Sequence, residues 1–100
     1  LTFQELTNNA KEYSRNEFRH YSVLYHGVGL CDEFPAIPFS WELNENSFDG
    51  ILKPGMVLCV ESYVGRYSGG PGVKLEEQVL ITNKGYELLT NYPFESELIL

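Results

Sequence analysis

One hundred residues suffice for one domain with a single modest core. With 43% hydrophobic residues the composition is that of an ordinary globular chain, and no apolar run approaches the ~20 residues of a transmembrane helix, so no membrane span is expected. A net charge of −7 excludes nucleic acid as a partner, because phosphate contacts need clustered Lys and Arg, and it permits a cationic or zwitterionic substrate.

No secretory pattern opens the chain, so Cys31 and Cys59 are expected to be reduced and unpaired, as in a cytoplasmic protein. CxxC and Cys–His zinc spacings are absent. Leu1 stands where Met would open a complete chain and leads almost directly into a helix, which reads as a piece of a longer protein.

Thr2 with Glu5 has the form of a capping box and opens that helix. Phe3, Leu6, Ala10 and Tyr13 follow at helical spacing, giving one apolar face through about residue 15. Arg15 to Arg19 is polar and reads as a connection. Tyr21 to Val28, rich in aromatic and β-branched residues, reads as a strand. Pro35 and Pro38 predict an irregular stretch, and Trp41 to Asp49 a loop that borders a site.

Lys53-Pro54-Gly55 is a turn placed directly before a strand from Met56 to Tyr63. Ser68 to Gly72 is the next turn signal, with a strand from Val73 to Thr82 after it. Asn83-Lys84-Gly85 closes a tight turn into a short strand, Tyr86 to Leu89. One helix and several mostly antiparallel strands make an α+β arrangement.

Three residues carry the chemistry. His26 lies in Tyr-His-Gly-Val-Gly-Leu, Glu61 closes Met-Val-Leu-Cys-Val-Glu, and Glu76 lies in Val-Lys-Leu-Glu-Glu-Gln-Val-Leu-Ile-Thr. A neutral imidazole and two carboxylates presented from extended segments suit a divalent first-row metal. The glycines beside His26 leave little bulk near the imidazole, which suggests close approach of metal and substrate. Alternation puts Val57, Cys59 and Glu61 on one strand face and Leu58, Val60 and Ser62 on the other. Both sets are largely apolar, so the strand is expected to be buried on both sides. A buried carboxylate costs several kcal/mol unless paired or metal-bound, so Glu61 requires a partner. Glu76, flanked by Lys74 and Gln78, lies on a face that could stay wet.

Taken singly, His26 would read as a hydrogen-bonded core histidine, and Glu61 and Glu76 as solvated strand acids. Asp32 would cap the turn before Pro35. Tyr21, Tyr25 and Trp41 would be packing residues, His20 a surface residue and Glu77 an exposed acid.

Together, the three phrases resemble the C-terminal half of the pita-bread metalloenzymes, the creatinase and methionine-aminopeptidase superfamily. The matching residues are His26-Gly27-Val28-Gly29, Gly55 to Glu61, and Val73 to Thr82. The resemblance implies that residues 1–100 are the C-terminal portion of a pita-bread catalytic domain with a curved, mostly antiparallel sheet. It makes His26, Glu61 and Glu76 three of five protein ligands of a two-metal site, the other two being aspartates in the N-terminal half. On that basis the segment alone is catalytically incomplete and leaves an apolar surface around Val57 and Cys59. A homodimer is also implied.

Two departures separate the chain from the peptidases of that superfamily. Their second histidine after the glycine phrase is replaced by Asp32-Glu33-Phe34-Pro35, and Ser62 rather than Pro follows Glu61. The phrases His26 to Glu33 and Cys59 to Gly65 are similar instead to a subgroup of dimethylsulfoniopropionate lyases. That similarity implies β-elimination of a small zwitterionic substrate to dimethyl sulfide and acrylate, with Asp32 as general base and Tyr21 beside the substrate. Iron is the metal usually named, with manganese, cobalt or zinc as alternatives. An Xaa-Pro dipeptidase or aminopeptidase-like metallopeptidase is the alternative activity. Tyr21, Tyr25 and Trp41 are candidates to hold the sulfonium by cation–π attraction, worth roughly 0.5–2 kcal/mol each.

Overall fold

The computed structural model describes residues 1–11 and 15–98. Helix α1 (Phe3–Asn8) is followed by six strands, β1 (Phe18–Arg19), β2 (Val23–Gly27), β3 (Ala36–Pro38), β4 (Val57–Arg66), β5 (Gly72–Thr82) and β6 (Gly85–Leu88). The sheet runs β3-β2-β4-β5-β6, with β1 paired to β4, and every pairing is antiparallel. The expected α+β arrangement is therefore present.

Helix α1 begins as its sequence dictates. Glu5 N donates to Thr2 Oγ1 at 3.0 Å and Thr2 N donates to Glu5 Oε2 at 2.7 Å, so two otherwise orphaned amides are satisfied reciprocally. The helix is shorter than its apolar spacing predicts. Asn9 caps it, and Asn9 Nδ2 donates back to Glu5 O at 2.8 Å, the kind of local side-chain bond by which Asn competes with helix propagation. Tyr13, the last residue of the predicted face, lies outside the described residues. The buried Thr7 donates to Pro38 O at 2.7 Å and pins α1 to β3.

Two strands occur where none is expected. β1 lies in the polar connection and pairs Phe18 with Arg66 and Arg19 with Gly65. β3 follows Pro35 and ends on Pro38, which it tolerates because it occupies the sheet edge, where a residue without an N–H costs no ladder bond. The turn before β4 is as predicted: Gly55 takes φ 92°, and Met56 N donates to Lys53 O at 3.2 Å.

In the middle of β4 adjacent residues point to opposite faces, and Leu58 and Cys59 are 2% and 1% exposed. The strand is thus covered on both sides at that point. Leu58 and Val60 line an apolar groove of about 260 Å³ with Leu6, Tyr25, Val79 and Tyr86. The opposite face carries the polar cluster described next.

Candidate metal centre

The ladder register assembles the site. His26 pairs with Cys59 across β2 and β4, and Glu61 pairs with Glu76 across β4 and β5. Directly paired residues of antiparallel strands share a face, and alternation adds Cys59 and Glu61 to the same one. Four chemically active side chains from three adjacent strands therefore meet.

His26 Nε2 lies 3.3 Å from Glu61 Oε2 and 3.6 Å from Glu76 Oε1. The side chains of His26 and Glu61 are 8% and 11% exposed, while that of Glu76 is 42% exposed at the rim. His26 Nδ1 stands 2.9 Å from Gly27 O, a contact that requires a proton on Nδ1. In the neutral ring this leaves the Nε2 lone pair facing two carboxylates. Three electron-rich donors converging in this way need a shared proton or a cation between them. The donor set, one imidazole nitrogen and carboxylate oxygens, thus fits a divalent first-row ion.

Cys59 belongs to the cluster; alternation puts it on the face of Glu61, but the sequence marks it as a reduced thiol of an apolar surface rather than a neighbour of the ligands. The ligand atoms of His26, Cys59 and Glu76 all lie within 4.8 Å of one another. Cys59 Sγ donates to Glu76 Oε1 at 2.7 Å. Burial, this hydrogen bond and the nearby carboxylates push the thiol up to about 12. The thiol bond, opposed by burial and reinforced by Lys74, holds the Glu76 carboxyl below its ordinary range. The stabilisation from Glu76 is accordingly present above its unfolded value and lost as pH falls through the folded one. In the folded protein, iodoacetamide at pH 8 is expected to label the exposed Cys31 and spare Cys59, as read by peptide mass spectrometry. Equal labelling would show that the thiol is not held as described.

Lys74, paired with Tyr63 two positions from Glu76, completes the same face. Its Nζ lies 2.7 Å from Glu61 Oε1 and 3.3 Å from Glu76 Oε2, and the two carboxylates raise its pKa. The partner that Glu61 required is thus a lysine as well as a histidine.

The loop gives the glycine after His26 a packing reason of its own. A Cβ at Gly27 would sit 2.0 Å from Phe34 O and 2.8 Å from Pro35 Cδ, so the returning loop requires a glycine there. Gly27 N donates to Pro35 O at 2.8 Å, which closes that loop at its base. Because the obstacle is backbone, Gly27→Ala should destabilise the protein by about 3 kcal/mol, read as a lower denaturation midpoint. An unchanged midpoint would contradict this packing.

The other candidates scatter. Asp32 is exposed at the tip of the loop, with φ 59° and its N–H on Gly29 O at 3.1 Å. Among the described residues its side chain has no hydrogen bond or ion pair, and none joins it to the cluster. Tyr21 does border the cluster: its ring stacks on Tyr63 at 4.8 Å, and Lys74 Nζ lies 5.5 Å from its centroid.

Tyr25 pairs with Val60, so it lies on the apolar face, where burial raises its pKa, and it cannot join a cation box beside His26. Trp41 stacks on Phe39 at 4.5 Å, lies under Arg15 at 4.7 Å, and donates from Nε1 to His20 Nε2 at 3.2 Å. The loop it opens thus packs among aromatics rather than against the cluster. His20, expected at the surface, is largely covered and lies 3.3 Å from Glu42 Oε1. The apolar surface expected around Val57 and Cys59 does not form at Cys59, which is 1% exposed and lies against Glu76 among the described residues, while Val57 is half-buried.

The model of metallopeptidase family M24 matches residues 1–83. The chain belongs to this family of pita-bread metalloenzymes. It is 45% identical over 100 residues to a protein of Roseovarius nubinhibens named dimethylsulfoniopropionate lyase DddP, covering 99% of this chain and 22% of that protein. A protein of the same name from Roseobacter denitrificans is 48% identical over 79 residues, 79% of this chain and 18% of that one. An uncharacterized peptidase of Staphylococcus aureus is 36% identical over 70 residues, 69% of this chain and 18% of the relative. The chain therefore spans about a fifth of the length of these relatives. Among the described residues no helix is long and apolar enough to cross a membrane.

Proposed function

We propose that this chain supplies part of the two-metal centre of a cytoplasmic lyase that cleaves dimethylsulfoniopropionate to dimethyl sulfide and acrylate. His26, Glu61 and Glu76 would hold the metal, iron by preference. Two aspartates from the N-terminal half of the full-length protein would complete the set, and the whole would form a homodimer. The observation that carries the lyase reading is the 45% and 48% identity to two proteins of that name. The meeting of His26 Nε2 with both carboxylates supports the metal.

A bound metal would supply a Lewis acid for the substrate carboxylate, spreading the charge that develops when the neighbouring C–H is broken. Asp32 is the base in this reading. It takes the proton, the C–H electron pair becomes the C=C bond of acrylate, and the C–S pair leaves with neutral dimethyl sulfide. No acid is needed for that departure. Tyr21, stacked on Tyr63 beside the cluster, offers an aromatic face to the sulfonium.

A second reading is a metallopeptidase, in support of which stand the family description and the peptidase relatives, with Xaa-Pro dipeptides as the substrate to test. Full-length protein supplied with dimethylsulfoniopropionate should release dimethyl sulfide, followed by headspace gas chromatography. It should leave Xaa-Pro dipeptides intact in a parallel assay. Dipeptide cleavage without sulfide release would reverse the choice.

A further inference from the structure

The cluster contains one charged group that the proposed reaction does not use. Lys74 reaches in from β5 and bridges Glu61 Oε1 and Glu76 Oε2 with a single ammonium. These are the carboxylates from which a metal would draw its oxygens. Directly opposed like charges on paired strand positions repel, and the Nε2 lone pair of His26 adds to the negative potential between them. In the absence of a metal the face needs a positive charge, and Lys74 provides it.

We propose that Lys74 is the internal counter-cation of this site: its ammonium holds Glu61 and Glu76 together until a divalent ion displaces it, and so sets metal affinity by competition. The proposal rests on the metal-site reading above. The Lys74 side chain is 42% exposed, so the displaced ammonium has water available and its stem can rotate away. A second seat lies nearby, since the face of Tyr21, backed by Tyr63, is 5.5 Å from Nζ. A divalent ion outcompetes the ammonium through its double charge and direct coordination, but it must first break two ion pairs.

The test uses the full-length protein, stripped of metal and titrated with Mn²⁺ alone, with free Mn²⁺ followed by electron paramagnetic resonance. Lys74→Met should bind Mn²⁺ roughly ten-fold more tightly than the unsubstituted protein, because the ion no longer displaces a cation. Its metal-free form should melt at a lower temperature, and its melting point should rise more on adding Mn²⁺. Lys74→Arg, which keeps the charge, should stay near the parent affinity, and Lys74→Gln should follow Lys74→Met. Equal or weaker Mn²⁺ binding by both neutral variants, with normal binding by the parent, would overturn the competition. Failure of the metal site itself would look different. The parent would bind no Mn²⁺, or His26→Ala would bind it as tightly as the parent, and the proposal would fall with the site.

Discussion

Under the proposed lyase reading, Asp32→Asn in the full-length protein is expected to slow dimethyl sulfide release by roughly 10²–10⁴-fold, about 2.7–5.5 kcal/mol of transition-state stabilisation. The amide keeps the shape of the side chain and removes its basicity, so a loss of this size isolates proton transfer. Asn is also the cleaner substitution for a backbone reason. Asp32 sits at φ 59°, a left-handed conformation that Asp and Asn tolerate and Ala resists. Asp32→Ala would therefore mix lost basicity with a reshaped turn, whereas Asp32→Asn should leave melting temperature and metal content unchanged. Elimination at the parent rate in Asp32→Asn would remove Asp32 from the reaction and leave the loop acid as a turn residue.

His26→Ala is expected to abolish tight metal binding and, with it, turnover. Outer partners of metal ligands typically cost 10–100-fold when removed, so loss of a ligand itself should exceed about 100-fold in metal affinity. The substitution also leaves Glu61 and Glu76 facing each other with Lys74 bridging them and the Cys59 thiol on Glu76. Metal content after dialysis, measured by atomic emission beside a circular dichroism spectrum, separates a lost ligand from a lost fold. Full metal occupancy in a folded His26→Ala protein would show that the ion is held elsewhere.

Much of this arrangement was legible because its signals are local. β4 and β5 are long, with turn-forming residues at both ends, and the capping box states the start of α1 in two residues. The convergence of His26, Glu61 and Glu76 came from family phrases; strand alternation supports it within β4 and β5, but it cannot say which faces of neighbouring strands coincide. Carried into β2, the same alternation separates Tyr25 from His26, while the place of Lys74 on the face of Glu76 was legible and its ion pair with Glu61 on the neighbouring strand was not. β1 and β3 were not legible, because two or three residues contain no period and their pairing is decided by distant partners. The end of α1 depended on competition between Asn9 and the next helical turn, which apolar spacing does not register. Cys59 stood two residues from Glu61 on the same face, so its place beside the acids was implicit once the register was known.

The bond from Gly27 N to Pro35 O ties the loop after His26 at its base, independently of what the loop carries at its tip. The foundation and the tool are thus mechanically separate. A histidine or an acid can be fitted around positions 32–34 without re-aiming the imidazole, provided Gly27 and the Phe34–Pro35 backbone keep their contact. A scaffold jointed in this way makes residues 32–34 the part of the cradle that can be re-equipped with least disturbance to His26, and so the natural place to begin altering what the site acts on.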